Sequence, residues 1–564
     1  MSEATIDLSA VGNLLVIAPP GCGKTELLAR RAEAIIPMLM PNQRILALTF
    51  SNKAKANLNS RLLSVLGTER KRRYVSVHNF HGHAAEIVRS HGWTAGIDPL
   101  GAMPDKHTQA VAVEPFLEGL AGDAYYAMKD RIEEELREAK RGAWNDQEVL
   151  DRLSDGDARS LAVETARQAN GTYFYDDLLR HSQRLLRVPE IARLYQSHYA
   201  AVLVDEFQDL SPQQLEIALR SSSKSRTFVG DPMQGIYSWT GAKPVHVERV
   251  LRLITGEAHG LGVSYRSSPA VLQVLAAVAR PLGGQLLDPH DPDGWFEGGI
   301  AAGGMYPTAE AEANFVLHAS AEILARRPND TIGVICRNGW RRKQIDSAFA
   351  ESDLPCIRWD LTVDDARIVE MLQDAAARLG GNPELQALSA EARRVLDPSD
   401  IDTSAELTDA VAQIEGLVEQ SGSVGAALAQ LRVSNDVSEV ISPGVHLLNA
   451  HTGKGQQFDW VFIPGFEHGN IPSYKAKKAA DIEEEQRVLL VMLSRARHGV
   501  VLTRANKLVS KAGNSYSPSQ SRWAVTVRDA LRANSAEFLA HVSRIPVECE
   551  VAQSEVSTHA RIVG

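Results

Sequence analysis

Two short stretches of this chain carry residues with phosphate chemistry in them. The first is Ala18-Pro19-Pro20-Gly21-Cys22-Gly23-Lys24-Thr25. Gly21 and Gly23 let the backbone curl so that N–H groups converge on phosphate oxygens with no Cβ in the way. Lys24 has the reach and charge for the β- and γ-phosphates of a nucleotide, and the Thr25 hydroxyl suits Mg2+. The second is Asp205-Glu206-Phe207-Gln208-Asp209. A carboxylate at the end of a buried strand can hold Mg2+ through water, and a second carboxylate beside it can polarise an attacking water. Together they describe hydrolysis of a nucleoside triphosphate. Ala18 stands where the general phosphate-loop pattern has glycine.

Each stretch needs an element to hold it. Leu14-Leu15-Val16-Ile17 is an apolar run suited to a buried parallel strand, and Leu28, Ala32, Ile35 and Ile36 recur on one helical face beyond the loop. Strand, loop and helix then bring a helix N-terminus, with its partial positive charge, against the phosphates. Ala201-Val202-Leu203-Val204 is a second such strand and ends at Asp205. Ile45-Leu46-Ala47-Leu48-Thr49, Ile332-Gly333-Val334-Ile335 and Val500-Val501-Leu502 predict further strands, and an amphipathic helix is expected over 483–497. Charged helical patterns fill 94–196, Lys129 through Arg141 especially. Ala-, Leu-, Glu- and Gln-rich helix fills 362–440, broken by a turn at Asp397-Pro398-Ser399-Asp400.

This alternation predicts an α/β chain with two parallel sheets flanked by helices, each domain carrying a helical insertion. The expected first domain is 1–93 with 197–262, interrupted by the insertion 94–196. The second is 263–361 with 441–534, interrupted by the compact insertion 362–440, and 535–564 is expected to be a tail with no nuclease or metal motif.

The 564 residues suffice for three or four compact units. A net charge of −10 disfavours a polyanionic partner unless basic residues are gathered locally, as in Arg70-Lys71-Arg72-Arg73, which otherwise reads as a solvated loop. Cys22, Cys336, Cys356 and Cys549 lack the paired spacing of a zinc or iron–sulfur site and suit a reducing compartment. His78, His81 and His83 are close together, yet no matching carboxylate accompanies them, so loop and core roles are expected before a metal. With no secretory pattern and no long apolar run, the expectation is a cytoplasmic protein.

From Asp205-Glu206-Phe207-Gln208-Asp209 outward, the chain resembles the UvrD/Rep branch of superfamily 1 helicases, through ordered motifs from about residue 14 to residue 503. The resemblance implies two RecA-like P-loop domains, with Asp205 on the metal and Glu206 as catalytic base. Segment 45–54 is similar to a DNA-contacting motif, making Phe50 a stacking platform with Asn52 beside it. Ser76-Val77-His78-Asn79-Phe80 is similar to the next, with Ser76 in place of Thr, and implicates His78 and Phe80 in DNA contact. Segment 228–239 resembles the motif that couples the two ligands: Gln234 would sense the γ-phosphate and Trp239 would stack on a base. Thr240 stands where relatives often have Arg. Tyr265-Arg266-Ser267 is similar to a linker in which Tyr stacks on adenine and Arg reaches the γ-phosphate, with Ser264 for Asn. Segment 447–458 resembles His-x-x-Lys-Gly-x-Glu-Phe, placing His451 near DNA and Gly455 and Gln457 near the nucleotide. Gln457 replaces Glu, which keeps a ribose hydrogen bond and loses the charge. Arg495, after the 483–497 helix, would be the arginine finger. Tyr173-Phe174-Tyr175-Asp176-Asp177-Leu178-Leu179 resembles a family segment near the DNA. No Gln precedes Lys24, so the family's adenine-reading glutamine segment is expected to be absent.

The implied activity is an ATP- and Mg2+-dependent helicase or translocase on single-stranded or partly duplex DNA, working 3′→5′. Because Arg266 and Arg495 come from outside the P-loop domain, cleft closure would drive the motor. An alternative is a DNA-sensing regulatory ATPase beside a partner nuclease, resembling the helicase-like subunits of anti-phage systems such as Gabija. It is motivated by the short second insertion and the missing glutamine segment. A nucleotide-binding protein that has lost its motor fits poorly with intact Lys24, Asp205, Glu206, Gln234, Arg266 and Arg495.

Overall fold

The computed structural model describes residues 6–9, 12–98, 108–120, 122–236, 242–359, 441–450, 454–509 and 514–547. Between 360 and 440 it also describes 362–363, 366–394, 423–428, 432–433, 407, 411, 414 and 418. The chain divides into two compact units, Met1–Gly262 with Leu361–Ser438 and Val263–Asp360 with Glu439–Gly564. Among the described residues no helix is long and apolar enough to cross a membrane.

The first unit is built on β1 (Asn13–Ile17), β2 (Arg44–Thr49), β3 (Val75–Asn79), β4 (Tyr199–Asp205), β5 (Ser225–Gly230) and β6 (His259–Gly260). They form one parallel sheet in the order β3-β2-β4-β5-β1-β6. Both faces are covered, so the strands read as continuous apolar runs, and β4 is buried at every position. Alternate residues serve opposite cores. Leu15, Leu46, Val202 and Phe228 pack on one side, while Val16, Ile45, Leu203 and Val229 pack on the other. Register does the functional work. Ile17 pairs with Gly230 and Asp205 pairs with Val229, so three strands end together at the carboxyl edge of the sheet, where ligands of such folds bind.

Three helices follow the first strands: α1 (Lys24–Ile35), α2 (Asn52–Tyr74) and α3 (Phe80–His91). The basic run 70–73 closes α2, where a loop was the alternative expectation. Arg44 caps that helix end, donating to the carbonyls of Arg73 at 2.8 Å, Arg72 at 2.9 Å and Val75 at 3.1 Å. Cations there complement the helix dipole. Ser76, which stands in place of Thr, accepts from Arg44 Nε at 2.9 Å.

Between β3 and β4, among the described residues, lie six helices of the insertion, from Thr108–Val113 to Pro189–His198. Their interior holds charge that composition did not disclose. The ammonium of Lys140, 1% exposed, lies 2.9 Å from Glu164 Oε2 and 2.8 Å from Asp177 Oδ2. Arg167 and Arg180 complete the cluster, at 2.7 Å from Glu164 and from Asp177 respectively. Against the cost of burial, Lys140, Arg167 and Arg180 hold Asp177 well below the usual carboxylate range. Buried ions persist when paired in this way.

The second unit opens with the short parallel pair β7 (Val263–Ser264) and β8 (Asp288–Pro289). Its main sheet uses β9 (Ile300–Thr308), β10 (Thr331–Cys336) and β11 (Cys356–Arg358). After the short pair β12 (Thr362–Val363) and β13 (Arg432–Val433), the sheet resumes with β14 (Gly444–Asn449), β15 (Phe458–Ile463), β16 (Ala496–Val509), β17 (Ser515–Tyr516) and β18 (Ala533–Asn534). The order is β11-β14-β10-β15-β16-β9-β18, all parallel, with β17 antiparallel on β16. Residue 535 does not begin a loose tail. Ser535–Arg544 is a helix capped by Asn534 and Glu537, and Phe538 and Val542, one turn apart, enter the core of this unit. Residues 548–564 lie outside the described residues, as does the expected turn at 397–400. Leu372, Ala375, Leu388 and Val424 share a small apolar core within the stretch 361–438, which groups with the first unit.

Candidate active site

The phosphate loop leaves β1 at Ile17. Ala18 is buried and donates its N–H to the Gly230 carbonyl at 2.8 Å, which locks the loop onto β5. That buried contact leaves little room at the position, and the methyl group is accommodated. Pro19, Pro20 and Cys22 are buried as well. Gly21 and Gly23 have φ of 82° and 79°, left-handed conformations that side-chain-bearing residues adopt at a cost. Lys24 and Thr25 open α1, so the loop leads straight into the positive end of the helix dipole, an arrangement that suits an anion.

Across from the loop stand the residues that end β4 and β5. Lys24 Nζ lies 3.1 Å from Glu206 Oε2. Glu206 sits at φ 53°, a left-handed backbone that a non-glycine residue holds only when its surroundings impose it. Asp205 is buried, and its Oδ1 accepts the Glu206 N–H at 3.0 Å. Burial, then the adjacent Glu206, push Asp205 up to about 7, while Lys24 pulls it down. Gln234 is buried and donates to Asp231 Oδ2 at 2.9 Å. Burial likewise raises Asp231. Thus Lys24, Asp205, Glu206 and Gln234 gather at one sheet edge.

The second unit brings its own set together. Arg266 donates to the Ser494 carbonyl at 3.5 Å, and the Arg495 guanidinium donates to Ser494 Oγ at 2.8 Å. Arg495 also donates to the carbonyls of Val491 at 3.0 Å and Gln456 at 3.2 Å. Ser267 and Ser268 hydroxyls clasp the Ala496 and His498 carbonyls at 2.7 and 3.0 Å. Tyr-Arg-Ser therefore lies along the start of β16, a pairing no local pattern announced. Gly299 permits it, since a Cβ there would fall 2.1 Å from Ser268 Oγ. Tyr265 is 63% exposed, its ring 4.3 Å from that of His290, which leaves ring surface for a base. Gly455 and Gln457 are exposed at the turn before β15.

Two family models match the chain. Residues 3–252 match the UvrD/REP helicase N-terminal domain, and residues 386–507 match the UvrD-like helicase C-terminal domain. The chain belongs to the UvrD/Rep helicase family. It is an ATP-hydrolysing DNA helicase of that family, with two RecA-like domains. Similar proteins include the probable DNA helicase II homolog of Rickettsia felis, 24% identical over 88% of this chain and 91% of that protein. ATP-dependent DNA helicase UvrD2 of Mycobacterium tuberculosis is 24% identical over 99% of this chain and 85% of its own length. DNA helicase II of Escherichia coli is 28% identical over 49% of this chain and 39% of that protein.

The DNA-contacting candidates of this UvrD-like chain lie in different settings. Phe50 lines a cavity of about 500 Å3 in the first unit, with Tyr175, His81, Arg137, Arg141 and Lys243. Its rings include His81 and Tyr175 at 4.8 Å, edge to face. Arg137 lies in the last turn of the helix Gly122–Ala139 and Arg141 just beyond its end, in a stretch read from the sequence only as charged and helical. His78 is half-buried on β3, 3.8 Å from Glu86, and burial lowers it. Phe80 is a correction: it has no exposed surface and packs in the core, so no ring face remains for a base. Asn52 begins α2. Trp239 and His451 lie outside the described residues. His83 is buried with Nε2 3.2 Å from Ser221 Oγ, a packing role.

Proposed function

We propose that this helicase moves 3′→5′ along single-stranded DNA, using ATP and Mg2+ at the carboxyl edge of the first sheet. The observation that carries the site is the 3.1 Å pairing of Lys24 with Glu206, beside buried Asp205. A phosphate chain seated on the loop N–H groups and Lys24 lies next to Glu206. From there Glu206 takes the proton of a water attacking the γ-phosphorus. The Thr25 hydroxyl and the Asp205 carboxylate are hard oxygen donors, the kind Mg2+ takes, and the neighbouring Glu206 adds a second negative charge that a cation would offset. Mg2+ bound there supplies charge neutralisation on the phosphates. Gln234 contacts the γ-phosphate, Arg266 and Arg495 stabilise its developing charge, Tyr265 stacks on adenine, and Gly455 and Gln457 serve the nucleotide. On the DNA side, Phe50 offers a stacking face beside the cations of Arg137, Arg141 and Lys243, which suits sequence-tolerant binding of a single strand.

The test is ATP turnover with and without single-stranded DNA. Turnover rises with DNA, and Lys24→Ala abolishes it while sparing DNA binding. Unwinding of 3′-tailed but not 5′-tailed duplexes supports the polarity. Retained turnover in Lys24→Ala overturns the site.

A further inference from the structure

Gln208 lies between the two halves of the first unit's catalytic edge. It has no exposed surface. Its Nε2 donates to Glu206 Oε2 at 2.6 Å, and its Oε1 accepts the Asp231 N–H at 2.9 Å. Both ends of one amide are thereby used, one on the carboxylate and one on the segment that carries Gln234. Gly230 makes this possible. A Cβ there would fall 2.3 Å from Gln208 Oε1 and 2.7 Å from the Phe207 ring, so the strand end must be bare for the amide to sit against it. Asp231, whose backbone Gln208 holds, accepts from Gln234 through its own carboxylate at 2.9 Å. The result is a line of contacts from Gln234 through Asp231 and Gln208 to Glu206.

We infer that Gln208 is a positioning residue, an amide strut that sets the Glu206 carboxylate relative to the Gly230–Gln234 segment. The geometry asks for a group that donates at one end and accepts at the other. An amide does both without charge, whereas a carboxylate at 208 would accept from Asp231 and repel Glu206. Lys24 and Gln208 hold the same oxygen of Glu206 from two directions, which fixes the plane of the carboxylate. The inference rests on the reading of Glu206 as the base.

The test separates support of the fold from orientation of the base. Gln208→Glu keeps the acceptor for Asp231 and loses the donor to Glu206, and Gln208→Leu loses both. DNA-stimulated kcat is measured at alkaline pH and expressed per nucleotide-binding site, counted by titration with a fluorescent ATP analogue. Partial unfolding then leaves the value unchanged. Gln208→Glu is expected to lose about tenfold or more in kcat per site, with KM for ATP held within about twofold, and Gln208→Leu to do the same. A Gln208→Glu enzyme within about twofold of the parent kcat per site overturns the inference. If that variant fails to fold, parent-level turnover per site in Gln208→Leu overturns it equally. Glu206→Gln is run alongside: full turnover there defeats the base assignment itself, a failure distinct from that of Gln208.

Discussion

In the first unit Lys24 pairs with Glu206, Gln208 donates to Glu206 and accepts the Asp231 N–H, and Gln234 donates to the Asp231 carboxylate, so residues from three strand ends hold one another in one connected set. In the second unit Arg495 is held by the carbonyls of Val491 and Gln456, Arg266 by that of Ser494, and Ser267 by that of Ala496. The first arrangement is a network whose members depend on each other. The second is a set of side chains anchored chiefly to backbone, with Arg495 also donating to the Ser494 hydroxyl. A network transmits the loss of one member to the rest, while a backbone anchor confines the loss to its own residue.

After the abolition of turnover expected of Lys24→Ala, the largest effect expected is in the second unit. Arg495→Ala should lower kcat by about a thousandfold, with Arg495→Lys recovering little, since an ammonium cannot reproduce the guanidinium fork. Single-turnover ATP hydrolysis on folded protein measures it, and near-complete rescue by Lys would show that charge alone is required. Next, Glu206→Gln should cost about a hundredfold, and adding Gln208→Leu to it should cost nothing more. Additive losses in that double mutant would break the network description. Tyr265→Ala should raise the KM for ATP about tenfold and leave kcat near the parent value, with Tyr265→Phe close to normal, because the ring face does the stacking. A change in kcat larger than that in KM would remove Tyr265 from the adenine role.

The smallest effect concerns acid. Burial pushes His83 down to about 3, and burial followed by the nearby Arg180 pushes His181 to about 3. Unfolded histidines bind protons near pH 6.5, so the unfolded state takes up more protons than the folded one below that pH. Stability is therefore complete above about pH 6.5 and falls by up to about 1.4 kcal/mol per pH unit for each buried histidine down to about pH 3. Urea midpoints at about pH 7 and about pH 5.5 measure the drop, and His83→Gln should flatten it. An unchanged slope in that variant would assign the acid sensitivity elsewhere.

Local chemistry was legible from the residue order. The glycines of the loop, the carboxylates after an aliphatic run and the alternating strand residues each express a rule that acts within a few positions. The phosphate loop, β4 with its Asp205-Glu206 terminus and the α/β class follow from such rules. Phe80 shows their limit. Its place in a motif suggested a surface role, but one helical turn decides which way a ring points, and the core needed this one. The helix Ser535–Arg544 was likewise missed, since Phe538 and Val542 have meaning only once β9 offers a face to cover.

By itself, then, the sequence determined the family, the chemistry at the phosphate loop and the order of the elements, because backbone conformation and apolar periodicity are set by near neighbours. Tertiary structure alone decided that Gln208 would bridge Glu206 to the Asp231 backbone, that Arg266 and Arg495 would meet at Ser494, and that Lys140 would be buried between two carboxylates. Each of these depends on strand register and on partners far away in the chain. A polar group can remain in the interior only where such a partner is brought to it.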